Sequence, residues 1–132
     1  MLQGDFFTIL SSEKLNPETP ETGTETFLVR IALDAGHRIY DGHFPGNPVV
    51  PGVCQVGIVK EALEQVKQVR GVLTSADNIK FLNMIVPAEH PVLTMDLAVK
   101  PAEGDHIRFN AVLSDGPVIF LKFRGTLCIK PS

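Results

Sequence analysis

The residues from Gly42 to Val53 read GHFPGNPVVPGV, a titratable side chain followed by rigid corners and bare backbone within twelve positions. His43 is a base with a free-solution pKa of about 6.5, able to exchange a proton near neutral pH. Pro45, Pro48 and Pro51 fix the backbone after it, while Gly46 and Gly52 let the main chain approach a ligand with no Cβ in the way. Gly52 also stands at the start of a helical pattern, where unpaired N–H groups and the positive end of the helix dipole converge. A carbonyl oxygen bound there would be polarised as in an oxyanion hole. The plainer reading of His43 is a histidine that only hydrogen-bonds its own loop.

Elements that could hold this loop follow from periodicity. Downstream, VCQVGIVKEALEQVKQV places Val53, Val56, Val59, Leu63, Val66 and Val69 at steps of three and four, with Ala62 on the same side. Gln55, Lys60, Glu64, Lys67 and Gln68 are expected mostly on the other side, so a helix is predicted from about Val53 to Val69. Upstream, Phe27, Val29, Ile31 and Leu33 alternate with Leu28, Arg30 and Ala32, the period of a strand with one face on a core. DFFTIL reads as a short strand, and SSEKLNPETPETGTE after it as a turn or mobile loop. The segment DAGHRIYDGHFPGNPVVPG carries three prolines and four glycines, which forbids a regular helix or an inner strand. After Gly71, NIKFLNMIVP, PVLTMDLAVKP, DHIRFNAVLSDG and VIFLKFRGTLCIK are strand-like runs separated by short turns. One helix followed by hairpin-linked strands predicts an α+β domain, an antiparallel sheet of five or six strands packed on the helix.

Composition narrows the classes of function. At 132 residues the chain has the size of one domain, and its 44% hydrophobic and 20% charged residues are those of a folded protein. A net charge of -3 gives no footprint for nucleic acid. No run approaches the roughly 18 to 20 apolar residues of a membrane span, and MLQGDFFTIL lacks the features of a signal peptide, so the cytoplasm is the expected location. Cys54 and Cys128 form no CxxC pair, and His37, His90 and His106 lack metal-ligand spacing, so no zinc site or disulfide framework is expected.

The motif itself resembles the GHFPGxPxxPGV segment of bacterial 3-hydroxyacyl-(acyl carrier protein) dehydratases, with His43, Phe44, Pro45, Gly46, Pro48, Pro51, Gly52 and Val53 in register. DNIKFLNMIVPAEH is similar to the strand and turn that follow the helix in that family, and the resemblance runs from about Thr26 to the end, weakening before it. It implies the hot-dog fold, an antiparallel sheet wrapped around one central helix. It also implies dehydration of a 3-hydroxyacyl thioester to the trans-2-enoyl thioester, with an acyl carrier protein or coenzyme A thioester as substrate and no cofactor. His43 takes the role of base, and the Gly52 and Val53 backbone polarises the thioester carbonyl, where enolate-like charge builds as the α-proton leaves. A homodimer or higher homo-oligomer with the site at the dimer interface is implied as well.

One position departs from the family. The dehydratases usually carry Glu or Asp six residues after the last motif proline, and here that residue is Gly57. Glu61 stands one turn further on, within roughly 40° of the same direction but about 6 Å along the axis. It would serve as a substitute acid only if the helix began later or the loop were rearranged, and otherwise is a rim carboxylate. Gly57 could permit close approach of a strand or open the tunnel where a carboxylate would stand. Two other readings therefore stay open: a non-catalytic partner subunit or acyl-binding module of a dehydratase complex, and a hot-dog thioesterase. Cys54 is expected to be buried packing rather than a nucleophile, Tyr40 and Asp41 could line a pocket mouth, and Glu13, Glu18, Glu21 and Glu25 are expected in a solvated loop.

Overall fold

The computed structural model describes residues 6–19, 23–36 and 49–131. Their order is β1 (Phe7–Thr19), β2 (Thr24–Leu33), α1 (Gly52–Lys67), β3 (Gly71–Phe81), β4 (Val92–Pro101), β5 (His106–Asp115) and β6 (Val118–Ile129). The strands form one antiparallel sheet in the order β1-β2-β4-β5-β6-β3. Ile58, Val59, Ala62 and Leu63 of α1 share one core with Phe7, Val29, Met95, Leu113 and Phe123 of the strands. Removing each such large side chain from water contributes about 1.5–3 kcal/mol. This is the hot-dog arrangement, with the sheet curled around its helix. Among the described residues no helix is long and apolar enough to cross a membrane.

The alternation in β2 reads as expected: Phe27, Val29, Ile31 and Leu33 are buried. The polar stretch after Leu10 does not. It continues β1 to Thr19 and pairs with β2, from Phe7 opposite Leu33 to Thr19 opposite Thr24. An edge strand needs apolar residues on neither face if its backbone groups are paired on one side, and Pro17 falls where the register jumps between Leu15 and Thr19, so no ladder bond is lost there. Glu25, expected in a solvated loop, lies in β2 and pairs with Lys14 of β1 at 3.0 Å and with Lys67 of α1. Those two ammonium groups, Lys67 first, hold its carboxyl below the usual carboxylate range.

Strand β3 starts and ends earlier than NIKFLNMIVP suggested. Gly71 admits no side chain, because a Cβ would lie 2.6 Å from Leu127 Cγ and 2.7 Å from the Cys128 carbonyl oxygen; this close approach seats β3 on β6. Beyond Phe81 the chain leaves the sheet, held by Leu82 N–H on the Phe120 carbonyl at 2.8 Å and by Asn83 Nδ2 on the Ile119 carbonyl at 2.7 Å. Helix α1 ends at Lys67, two residues short of Val69. Gln68 adopts a left-handed conformation (φ 54°, ψ 46°), and the Gln68 and Val69 N–H groups return to Gln65 and Glu64 carbonyls. His90 and His106 each hold a turn: His90 Nδ1 lies 2.7 Å from Asp115 Oδ2 with its ring edge-on to Phe120, and His106 Nδ1 lies 3.1 Å from the Glu103 carbonyl.

Candidate functional site

The N-terminus of α1 is built to leave donors free. Pro51 is the N-cap in extended conformation (φ -61°, ψ 148°) and offers no side-chain cap. Its carbonyl accepts from Cys54 N–H at 3.0 Å and Gln55 N–H at 3.1 Å. The N–H groups of Gly52 and Val53 bond to no described residue, and no acidic side chain occupies the first turn. The positive end of a 16-residue helix is thus uncompensated by the described residues. The approach is anchored by Val50 N–H on the Ile85 carbonyl at 2.9 Å, with Val50 and Ile85 both in the core. Over Gly52 lies the Phe81 ring: a Cβ would sit 3.1 Å from Phe81 Cζ, so glycine lets the ring close over the first turn.

Gly57 lies within the helix on the wall of an open groove of about 1300 Å³. The same groove is lined by Glu61, Glu64, Gln68, Arg70 and Lys130. Since α1 begins at Gly52, the two positions are one turn apart as the sequence implies, Gly57 near the donors and Glu61 about 6 Å further along. Glu64 is committed elsewhere, accepting from Gly71 N–H at 3.0 Å and pairing with Lys60 at 3.4 Å. Cys54 is buried, and desolvation pushes its thiol up, the wrong direction for a nucleophile. His43, Phe44, Pro45, Gly46 and Pro48, with His37, Tyr40, Asp41 and Glu21, lie outside the described residues.

Comparison with known proteins places this geometry. The family model for the ApeI dehydratase, described as ApeI-like, matches residues 19–119. The chain belongs to the ApeI-like dehydratase family. Two relatives carry the wider resemblance. One is the 3-hydroxyacyl-[acyl-carrier-protein] dehydratase FabZ of Caulobacter vibrioides, 28% identical over 120 residues, covering 84% of this chain and 70% of the relative. The other is the FabZ of Clostridium acetobutylicum, 30% identical over 74 residues, covering 51% of each. The chain spans about half the length of the curated relatives it matches first. In fold, this ApeI-like chain is similar to the dehydratase heterocomplex ApeI:P from Xenorhabdus doucetiae, with a TM-score of 0.55, 21% identity, and 90% of this chain and 99% of that one covered.

Val59, Ala62 and Leu63 of this ApeI-like protein are buried as the spacing predicts, and Val56, Val66 and Val69 pack partly against the core, but the start of the helix departs from that face. Val53 is 80% exposed, whereas Gln55 is buried beside Cys54, Ile58 and Val59. A stripe through positions 54, 58 and 62 and through 55, 59 and 63 fits the i, i+4 spacing equally well, and it places Ile58, Ala62 and Leu63 at its centre. Gln55 was concealed by its type, since a polar side chain in an amphipathic pattern reads as outward. Val53 belongs instead to an exposed apolar group with Phe81, Leu82 and Met84, beside the helix start and the end of edge strand β3.

Proposed function

We propose that the chain binds 3-hydroxyacyl thioesters and dehydrates them to trans-2-enoyl thioesters. The observation that carries the reading is the uncapped first turn of α1, whose Gly52 and Val53 N–H groups are directed out of the helix end. Removal of the α-proton moves charge onto the thioester oxygen, and two preorganised donors stabilise it there. His43 is the base that removes this proton, and in the absence of a carboxylate at Gly57 it returns the proton to the departing 3-hydroxyl, so that water leaves and the C2–C3 double bond forms. No cofactor enters this scheme. The FabZ relatives are named for acyl-carrier-protein substrates, and exposed Arg70 and Lys130 on the groove suit the phosphate of a carrier or coenzyme A thioester.

A second reading, in which the chain works as one subunit of a larger dehydratase, is favoured by Gly57 and by the apolar group of Val53, Phe81, Leu82 and Met84. These side chains flank the donors, and covering them with a second subunit would also exclude water from the site. That subunit is a second copy of this chain or a dehydratase-like partner, as the heterocomplex name of the ApeI:P structure illustrates for that protein.

The test is mass spectrometry of 3-hydroxyacyl and trans-2-enoyl carrier-protein thioesters, run in both directions so that an unfavourable equilibrium hides nothing. His43→Ala is expected to lose about 100- to 10,000-fold, and Glu61→Gln to stay within roughly tenfold of the parent. Activity that appears only with a second dehydratase-like subunit establishes the partner reading. Release of free thiol in place of enoyl product establishes a thioesterase.

A further inference from the structure

Gln55 is the sole buried polar side chain among the described residues. It sits on the core-facing stripe of α1 between Cys54, Ile58 and Val59, where a leucine or methionine would bury without cost. Its Nε2 donates to the Val50 carbonyl at 3.3 Å, while its Oε1 is buried with no hydrogen-bond partner. The amide cannot be reversed to relieve this, because the Val50 carbonyl requires a donor. An acceptor left unsatisfied in the interior is a standing destabilisation, and natural cores rarely retain one without a use.

The direction of the side chain says what the use is. Helical side chains lean toward the helix N-terminus, and the bond to Val50, the residue before the Pro51 cap, fixes the Gln55 amide beside the first turn. The start of the helix therefore holds two kinds of group: the outward Gly52 and Val53 N–H donors and, buried beside them, one unpartnered acceptor, Gln55 Oε1. A saturated acyl thioester has a carbonyl for the donors and nothing for the acceptor. A trans-2-enoyl thioester is the same. A 3-hydroxyacyl thioester has both, with the hydroxyl two carbons from the carbonyl carbon.

We infer that Gln55 Oε1 accepts the hydrogen bond of the substrate's 3-hydroxyl group and makes the site selective for 3-hydroxyacyl over saturated or enoyl thioesters. This rests on the thioester reading proposed above and adds a specificity-determining residue to it. Gln55 is not the acid of the reaction, because an amide oxygen that takes the hydroxyl hydrogen has no proton to give. It orients the C3–O bond and leaves the lone pairs of that oxygen open to protonation. Loss of the hydroxyl as water removes the contact, so product is held less tightly than substrate.

The experiment is calorimetric titration of the full chain with two pantetheine conjugates in which an amide replaces the thioester and slows elimination. One carries a 3-hydroxyhexanoyl group and the other a hexanoyl group. The parent is expected to bind the hydroxylated ligand about five- to tenfold more tightly, the effect of one buried hydrogen bond. Gln55→Leu is expected to bind both equally while melting no lower than the parent, since the unsatisfied acceptor is gone. Gln55→Met, unbranched and of similar volume, repeats the comparison in case leucine disturbs the packing. Equal binding of both ligands by the parent overturns the inference alone. So does a preference that survives both substitutions, or a uniform weakening of both ligands, which would assign Oε1 to a pantetheine amide instead. Failure of the parent to bind either ligand overturns the thioester reading and the inference with it.

Discussion

Restoring a carboxyl group at Gly57 tests the proposed division of labour. Gly57 is an interior helical position, so Gly57→Glu gains about 0.5 kcal/mol of helix propensity. The introduced side chain enters the groove that Gly57 and Glu61 share, one turn from Glu61. At about 6 Å and an effective dielectric constant of roughly 40, the Glu61 carboxylate opposes ionisation by about 1.4 kcal/mol, or about one pKa unit. Partial burial adds in the same direction, so the new acid titrates above the ordinary value of about 4.3 and is protonated more often near neutral pH. A perfectly placed acid contributes 100- to 10,000-fold, and one placed without optimisation is expected to fall at or below the lower end of that range, at about 10- to 100-fold. The assay is initial-rate dehydration of a 3-hydroxyacyl carrier-protein thioester across pH, with Gly57→Ala as control. Dehydration by the glutamate variant should fall as pH rises through the new acid's pKa, while the control stays at the parent level. A folded glutamate variant no faster than the alanine variant refutes the reasoning, because the missing carboxylate would then not limit the reaction.

Three predictions concern stability. Gly125→Ala places a Cβ 2.5 Å from the Ser75 carbonyl oxygen and 3.0 Å from Phe109 Cζ, and should cost about 3 kcal/mol, lowering Tm by about 10 °C in calorimetry. Gln68→Gly relieves the left-handed residue that ends α1 and should stabilise by about 1 kcal/mol in urea unfolding. Glu25→Gln removes the carboxylate held by Lys67 and Lys14. Because the folded pKa is depressed, the pair's contribution is present above the unfolded value of about 4.3 and is lost as pH falls through the folded one. The variant should therefore be about 0.5–1 kcal/mol less stable at pH 7 and converge with the parent in acid, as urea titrations at the two pH values would show.

What was legible in the sequence followed from regular patterns. The strands β2, β4 and β5, and β6 from Leu121 onward, bury every second residue, so period alone located them. The motif located the start of α1 to within one residue, because Pro51 and Gly52 can cap and open a helix but not continue one. β1 was concealed because an edge strand is specified by backbone pairing with β2, which leaves no apolar signature in Ser11 to Lys14. The pattern misled only at the start of the helix, where Val53 continues the valine spacing and Gln55 is polar, and packing against the sheet turns Val53 outward and Gln55 inward. Gln55 escaped notice for the same reason, since its value lies in an unmet hydrogen bond that no pattern of residue types records.

The central claim, that the first turn of α1 polarises a thioester carbonyl, is tested most directly by infrared difference spectroscopy. A pantetheine thioester labelled with carbon-13 at its carbonyl is bound to the full chain and its stretching band compared with that in water. The account predicts a shift to lower frequency, diminished in Val53→Pro, which deletes one of the two free donors at an exposed position where the first turn tolerates proline. A band at the solution frequency or above it, or a downward shift untouched in a folded Val53→Pro variant, would contradict the account.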